Sequence, residues 1–201
     1  MDLLIATTNA GKLAEIQAAL KELPVRILSL KDFPGAPEVV EDGATYEENA
    51  LKKARTLAAF SGLPALADDS GLEVDALGGA PGIYSARYSG EDADDARNNR
   101  KLLDALAGLP EERRGARFVC VLALSAQQGE RLFRAECLGR IAYASRGVNG
   151  FGYDPLFFYA PLGQTFGELD RTTKSRVSHR GLALRRLKAA LPALPVFAQR
   201  S

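Results

Sequence analysis

Leu3-Leu4-Ile5-Ala6-Thr7-Thr8-Asn9-Ala10-Gly11-Lys12 reads as a buried strand, a polar loop and the start of a helix, and that order sets the fold class. The strand is a short continuous apolar run. After Lys12, the residues Leu13, Ile16, Leu20 and Leu23 share one helical face. Thr8 or Asn9 then falls at the helix N-cap, where unpaired N–H groups and the positive end of the dipole attract anions, and Lys12 adds a full charge. The glycine spacing of a Walker loop is missing, so taken alone the segment is a capped helix with a basic residue that suits a phosphate.

The alternation continues outward. Val25 to Leu30 reads as a second strand, and Phe33-Pro34-Gly35-Ala36-Pro37 as a loop. Glu38-Val39-Val40-Glu41-Asp42-Gly43 is an acidic stretch before a helix that Thr45 and Glu48 open as a capping box and Gly62 and Pro64 close. Pro64-Ala65-Leu66-Ala67 leads into Asp68-Asp69-Ser70-Gly71-Leu72. Two adjacent carboxylates at the end of a short apolar run, just before an expected turn, suit a hard cation.

Past the glycine-rich run Gly78-Gly79-Ala80-Pro81-Gly82, Glu91 to Ala107 carries a helical pattern. Ala116 to Leu124 and Arg131 to Leu138 read as an antiparallel hairpin around Gln127-Gln128-Gly129. Gly147 to Pro155 is a glycine-rich loop carrying Phe151 and Tyr153, and Leu156-Phe157-Phe158-Tyr159 is a strand. A last helix is expected from Lys174-Ser175 through Leu191 to Pro192, which places Lys174, His179 and Arg180 near its beginning. Helices alternating with strands, plus one hairpin, make a mixed α/β protein.

Composition bounds the function. The 201 residues suffice for a single well-buried domain, with 46% hydrophobic and 25% charged residues. A net charge of +1, from 26 basic and 25 acidic residues, argues against binding through many nucleic-acid phosphates. Cys120 and Cys137 lie in separate apolar runs without metal-ligand spacing, and they read as buried free thiols. No signal peptide is visible and no apolar run reaches the ~20 residues of a membrane span, so a cytoplasmic location is expected. Glu41, Asp68 and Asp69, the Thr7–Lys12 segment, and aromatics near a cationic cluster together describe a site for a magnesium-bound nucleotide.

The motifs Thr7-Thr8-Asn9-Ala10-Gly11-Lys12, Ala67-Asp68-Asp69-Ser70-Gly71-Leu72, Pro81-Gly82-Ile83-Tyr84-Ser85-Ala86-Arg87, Phe151-Gly152-Tyr153-Asp154-Pro155 and Ser178-His179-Arg180-Gly181 occur in one order and spacing across nearly the whole chain. In this the chain resembles the inosine/xanthosine triphosphate pyrophosphatases. The resemblance implies hydrolysis of ITP, dITP and XTP to the monophosphate and pyrophosphate. It implies a mixed, elongated central sheet flanked by helices, with two lobes around a central substrate cleft in one domain spanning 1–201, and a homodimer that uses Mg²⁺.

Carried over by residue, the resemblance gives Asp69 as the catalytic carboxylate, described both as proton acceptor and as metal ligand. Glu41 is the second ligand, and Asp68 is either a further ligand or the neighbour that holds Asp69. Thr7, Thr8, Asn9, Ala10, Gly11 and Lys12 take the triphosphate, with Ser70 among the substrate contacts. Phe151 and Tyr153 form the stacking pair in the Phe151, Gly152, Tyr153, Asp154 motif. Lys174, His179 and Arg180 are donors to the purine edge, where inosine and xanthosine carry an acceptor at position 6 and adenosine a donor. What excludes guanine is not legible. Two rival readings are a pyrophosphatase for pyrimidine or modified nucleotides and a non-enzymatic nucleotide sensor, against which the retained carboxylates and Lys12 speak.

Overall fold

The computed structural model describes residues 2–92 and 94–191. Strand β1 (Asp2–Ala6) leads into helix α1 (Ala10–Leu20), and β2 (Arg26–Ser29) lies parallel to β1 with Asp2 opposite Arg26. Asn9 is the N-cap of α1, since its side chain accepts from the Lys12 amide at 2.9 Å. Helix α2 (Tyr46–Ser61) opens at Thr45, whose hydroxyl accepts from the Glu48 amide. It ends at Gly62, where a φ of 68° favours glycine.

Strand β3 (Ala65–Val74) pairs parallel with β1, setting Ala67 opposite Ala6. The turn expected after Asp69 is absent: the strand passes through Asp68, Asp69, Ser70 and Gly71 and ends at Val74. The acids are tolerated inside it because each meets cations, as described below.

Helix α3 (Asp95–Ala105) is capped by Asp94, whose side chain accepts from the Arg97 amide. Strands β4 (Gly115–Ala126) and β5 (Gly129–Ile141) are neighbours in the sheet, and a two-residue link joins only antiparallel strands, so the expected hairpin forms. Strands β6 (Phe157–Tyr159) and β7 (Gln164–Thr165) add antiparallel pairs. The result is a seven-stranded mixed sheet in the order β2-β1-β3-β4-β5-β6-β7.

The single last helix of the sequence reading is two helices, α4 (Arg171–Val177) and α5 (His179–Ala190). Ser178 separates them in an extended conformation, φ −72° and ψ 155°, which is the backbone geometry that serine favours ahead of a helix. The expected stop at Pro192 lies outside the described residues.

The chain forms two compact units. One holds residues 2–69, 120–135 and 180–191 around Leu3, Ile5, Ile16, Leu66, Leu122 and Leu184. The other holds 70–92, 94–119 and 136–179 around Leu72, Leu102, Phe118, Phe157 and Phe166. Both cysteines are buried free thiols, and burial pushes the Cys137 thiol up to about 12. Among the described residues no helix is long and apolar enough to cross a membrane.

Candidate active site

In the first unit the site is built on the end of β1 and the middle of β3. The loop after β1 is shaped by Thr7, whose hydroxyl accepts from the Asn9 amide at 3.2 Å. The first-turn amides of Ala10 and Gly11 precede any helical acceptor and are open by geometry to an anion. From the same turn, the Lys12 ammonium reaches Asp68 Oδ1 at 2.7 Å.

Asp68 is gripped from a second side by Arg180 on α5. Arg180 Nε donates to Asp68 Oδ2 at 2.7 Å, and its Nη1 donates to Glu15 Oε2 at 2.6 Å. Asp68 and Arg180 are 1% and 2% exposed, so neither charge is tolerable without the other. Burial by itself would raise the Asp68 carboxyl, but Arg180 and Lys12 outweigh it and hold Asp68 well below the usual carboxylate range. Burial likewise opposes the Arg180 charge, and Asp68 with Glu15 holds its pKa above the ordinary value.

Asp69, the next residue of a pleated strand, points to the other face of the sheet and has different neighbours. Lys53 on α2 lies 3.6 Å from Asp69 Oδ1 and 3.1 Å from Glu41 Oε1, and donates to the Asp68 carbonyl at 2.8 Å. Asp69 Oδ2 is buried and has no hydrogen-bond partner among the described residues. Burial pushes the Asp69 carboxyl up to about 6; Lys53 and Lys12 pull against this, while Glu41 and Asp68 add to it.

Glu41 and Asp69 thus converge on one cation, Lys53, and leave a buried carboxylate oxygen to spare. That arrangement fits a hard divalent ion completed by phosphate oxygens and water. Among the described residues no cluster of three or more acidic, histidine or cysteine side chains stands ready as a closed metal cage.

In the second unit, the loop that carries Phe151 is fastened by Asp154. Asp154 Oδ2 accepts from the Phe151 amide at 2.8 Å and from Lys174 Nζ at 2.5 Å, and that ammonium lies 4.8 Å from the centre of the Phe151 ring. A β-carbon at position 150 would run into Asp154 Oδ2, so Gly150 lets the carboxylate in. Tyr153 is 4% exposed within the core, its hydroxyl donating to the Ser85 carbonyl at 2.8 Å. His179 is also buried, its ring stacked on Phe118 at 4.5 Å.

The structure therefore gathers Lys12, Asp68 and Arg180 in one set, Glu41, Asp69 and Lys53 in a second, and Phe151, Asp154 and Lys174 in a third. Arg180 pairs with Asp68 and Glu15, and the Tyr153 hydroxyl donates to the Ser85 carbonyl. Ser70 begins the second unit, four places before the end of β3.

Lys53 was missed by sequence reasoning, although a signal exists: it shares the buried face of α2 with Asn49, Ala50, Ala54 and Leu57. A lysine on an apolar helix face asks for a buried acid.

The chain matches the model of the Ham1 family over residues 3–190. It is 60% identical over 187 residues to a dITP/XTP pyrophosphatase of Syntrophobacter fumaroxidans, covering 92% of this chain and 80% of that one. It is 58% identical over 187 residues to a dITP/XTP pyrophosphatase of Geobacter sulfurreducens, covering 92% and 94%. The solved structure of a HAM1 protein from Coxiella burnetii superposes with a TM-score of 0.88 at 41% identity, over 96% of this chain and all of that one.

Proposed function

The chain belongs to the Ham1 family, and on that premise we propose that it hydrolyses deaminated purine nucleoside triphosphates, namely ITP, dITP and XTP, to the nucleoside monophosphate and pyrophosphate, removing them from the nucleotide pool. The match over residues 3–190 covers both units, which supports reading the chain as one catalytic domain. The observation that carries the reading is Asp69, a buried carboxylate with one oxygen unbonded among the described residues and a cation and a second acid beside its other.

Asp69 orients the water that attacks the α-phosphorus, and Lys12 with the first-turn amides of α1 holds the triphosphate. Glu41 and Asp69 are the residues that would hold magnesium, which when bound supplies charge neutralisation on the phosphate oxygens. Asp68 is the neighbour that fixes Lys12 and Arg180, a role its two ion pairs support over that of a third ligand.

Phe151 is the stacking face and Tyr153 its anchor, which its hydroxyl bond to Ser85 supports. Lys174 and His179 are the donors for the acceptor at purine position 6. A pocket lined with donors leaves adenine's amino group facing donors, and unpaired buried groups discriminate strongly. Arg180 contributes indirectly, through Asp68. A homodimer, which rests on the family resemblance, and a cytoplasmic location, which is the expectation from the sequence, complete the reading.

The test is to incubate the pure protein with Mg²⁺ and each of ITP, dITP, XTP, ATP and GTP and identify the products. The expected result is pyrophosphate with IMP, dIMP and XMP, and little turnover of ATP or GTP. Orthophosphate with the diphosphate would reject the cleavage site, and equal rates on all five would reject the base pocket.

A further inference from the structure

We propose that Asp95 and Asn99 on α3 are positioning residues for the base: they clamp the Gly152 peptide and so fix the Phe151 ring against which the purine stacks, an inference that rests on the functional reading above. Residues 95 and 99 are one helical turn apart and share a face of α3. From that face both halves of the Gly152 backbone are held. Its N–H donates to Asp95 Oδ2 at 2.6 Å, and its carbonyl accepts from Asn99 Nδ2 at 3.0 Å.

The clamp has a firm base. Asn98, on the same helix, accepts from the Ser89 amide at 2.8 Å and donates to the Ala86 carbonyl at 3.1 Å. Ser85 in turn accepts from the Leu72 amide of β3 at 2.8 Å and, through its carbonyl, from the Tyr153 hydroxyl. The loop is thus tied to one scaffold at Gly152 and again at Tyr153. Asn99 meets this demand at a local cost, because its Oδ1 is buried and has no hydrogen-bond partner among the described residues.

The need for a clamp is visible beside it. A groove of about 570 Å³ runs along α3 and this loop, lined by Asn99, Arg100, Leu103, Val148, Asn149 and Phe151. Because among the described residues no packing fills that side, the loop has room to shift once Gly152 is released. Gly152 has no side chain to anchor, so the main chain is the only handle.

Steady-state kinetics with ITP and Mg²⁺ on Asp95→Ala, Asn99→Ala and Asp95→Asn test this. Each alanine variant is expected to raise KM about three- to ten-fold, the equivalent of one hydrogen bond, with kcat within about two-fold of wild type. Inhibition by inorganic tripolyphosphate, which has no base, keeps its wild-type constant. Asp95→Asn retains an acceptor and keeps KM near wild type.

Unchanged KM in both alanine variants overturns the clamp, and so does a tripolyphosphate constant that weakens in step with KM, the mark of general loosening. If the wild-type protein itself fails to hydrolyse ITP, the functional reading has fallen, and hydrogen exchange decides the clamp. Faster exchange of the Gly152 amide in Asp95→Ala upholds it, and unaltered exchange rejects it.

Discussion

Replacing Arg180 by Met keeps most of the buried stem and removes the guanidinium that faces Asp68 and Glu15. Breaking a buried ion pair by deleting one partner costs about 3–5 kcal/mol, since the remaining charge stays buried. Lys12 still sits 2.7 Å from Asp68, and Glu15 lies partly in solvent, so the lower end applies, about 3 kcal/mol. For a chain of this size that is a fall in Tm of about 6–12 °C, measurable by calorimetry at pH 7.

The pH dependence identifies the cause. In the wild type the folded Asp68 pKa is depressed, so its contribution to stability is present above the unfolded value of about 3.9 and is lost as pH falls toward the folded one. Without Arg180 the folded pKa rises, and Asp68 takes up a proton on mild acidification. The gap between wild type and Arg180→Met should therefore be widest at pH 7 and narrower at pH 4. A Tm within 2 °C of wild type, or a gap of equal size at both pH values, would refute the ion-pair argument. Weaker binding of ITP with unchanged stability would return Arg180 to the purine edge.

Asp69→Asn should lower kcat at least about a hundred-fold while ITP binding stays measurable by calorimetry; near-normal turnover would remove Asp69 from the chemistry. The metal-free protein offers a linkage test of the same residue. Its folded pKa is raised to about 6, so between about pH 4 and 6 the folded state binds more protons than the unfolded one, and stability falls as pH rises through that window. Relative to Asp69→Asn, the wild type should lose on the order of 2 kcal/mol from pH 4 to pH 7, and a difference that stays flat would contradict the burial argument. Phe151→Ala should raise KM for ITP about ten-fold or more through lost stacking, leaving tripolyphosphate inhibition intact. Tyr153→Phe should lower Tm by about 2–4 °C through one lost hydrogen bond to Ser85, and no change would argue that Tyr153 is not an anchor.

Much of this was readable from one strand and one helix start. Leu3–Ala6 is apolar because a strand between two parallel neighbours is covered on both faces, and Asn9 caps α1 because a side-chain acceptor must meet the Lys12 amide. What escaped depends on partners far away in the chain. Gly71 after two acids looks like a turn until Arg180, Lys12 and Lys53 are seen to neutralise Asp68 and Asp69 inside a strand. The break at Ser178 carries no glycine or proline to mark it and falls directly after Val177, so a pattern read from Val177 through Leu184 and Leu187 runs on across it. The Gly78–Gly82 run leads into Ser85, a hub whose hydroxyl and carbonyl join β3, α3 and the Phe151 loop. Polar contacts of that kind follow no period.

Asp68 and Asp69 are the same amino acid, one peptide apart, yet one is held well below the usual carboxylate range and the other near neutrality. A pleated strand sorts its residues by parity. Even and odd positions face different rooms, and here one room is furnished with Lys12 and Arg180, the other with Lys53 and Glu41. The pair is therefore not a twofold copy of one function, and neither residue is a spare for the other. A deletion of one residue upstream in β3 would keep both acids in the sequence but seat Asp69 in the place of Asp68 and Ser70 in the place of Asp69, which is a stricter dependence on counting than on composition.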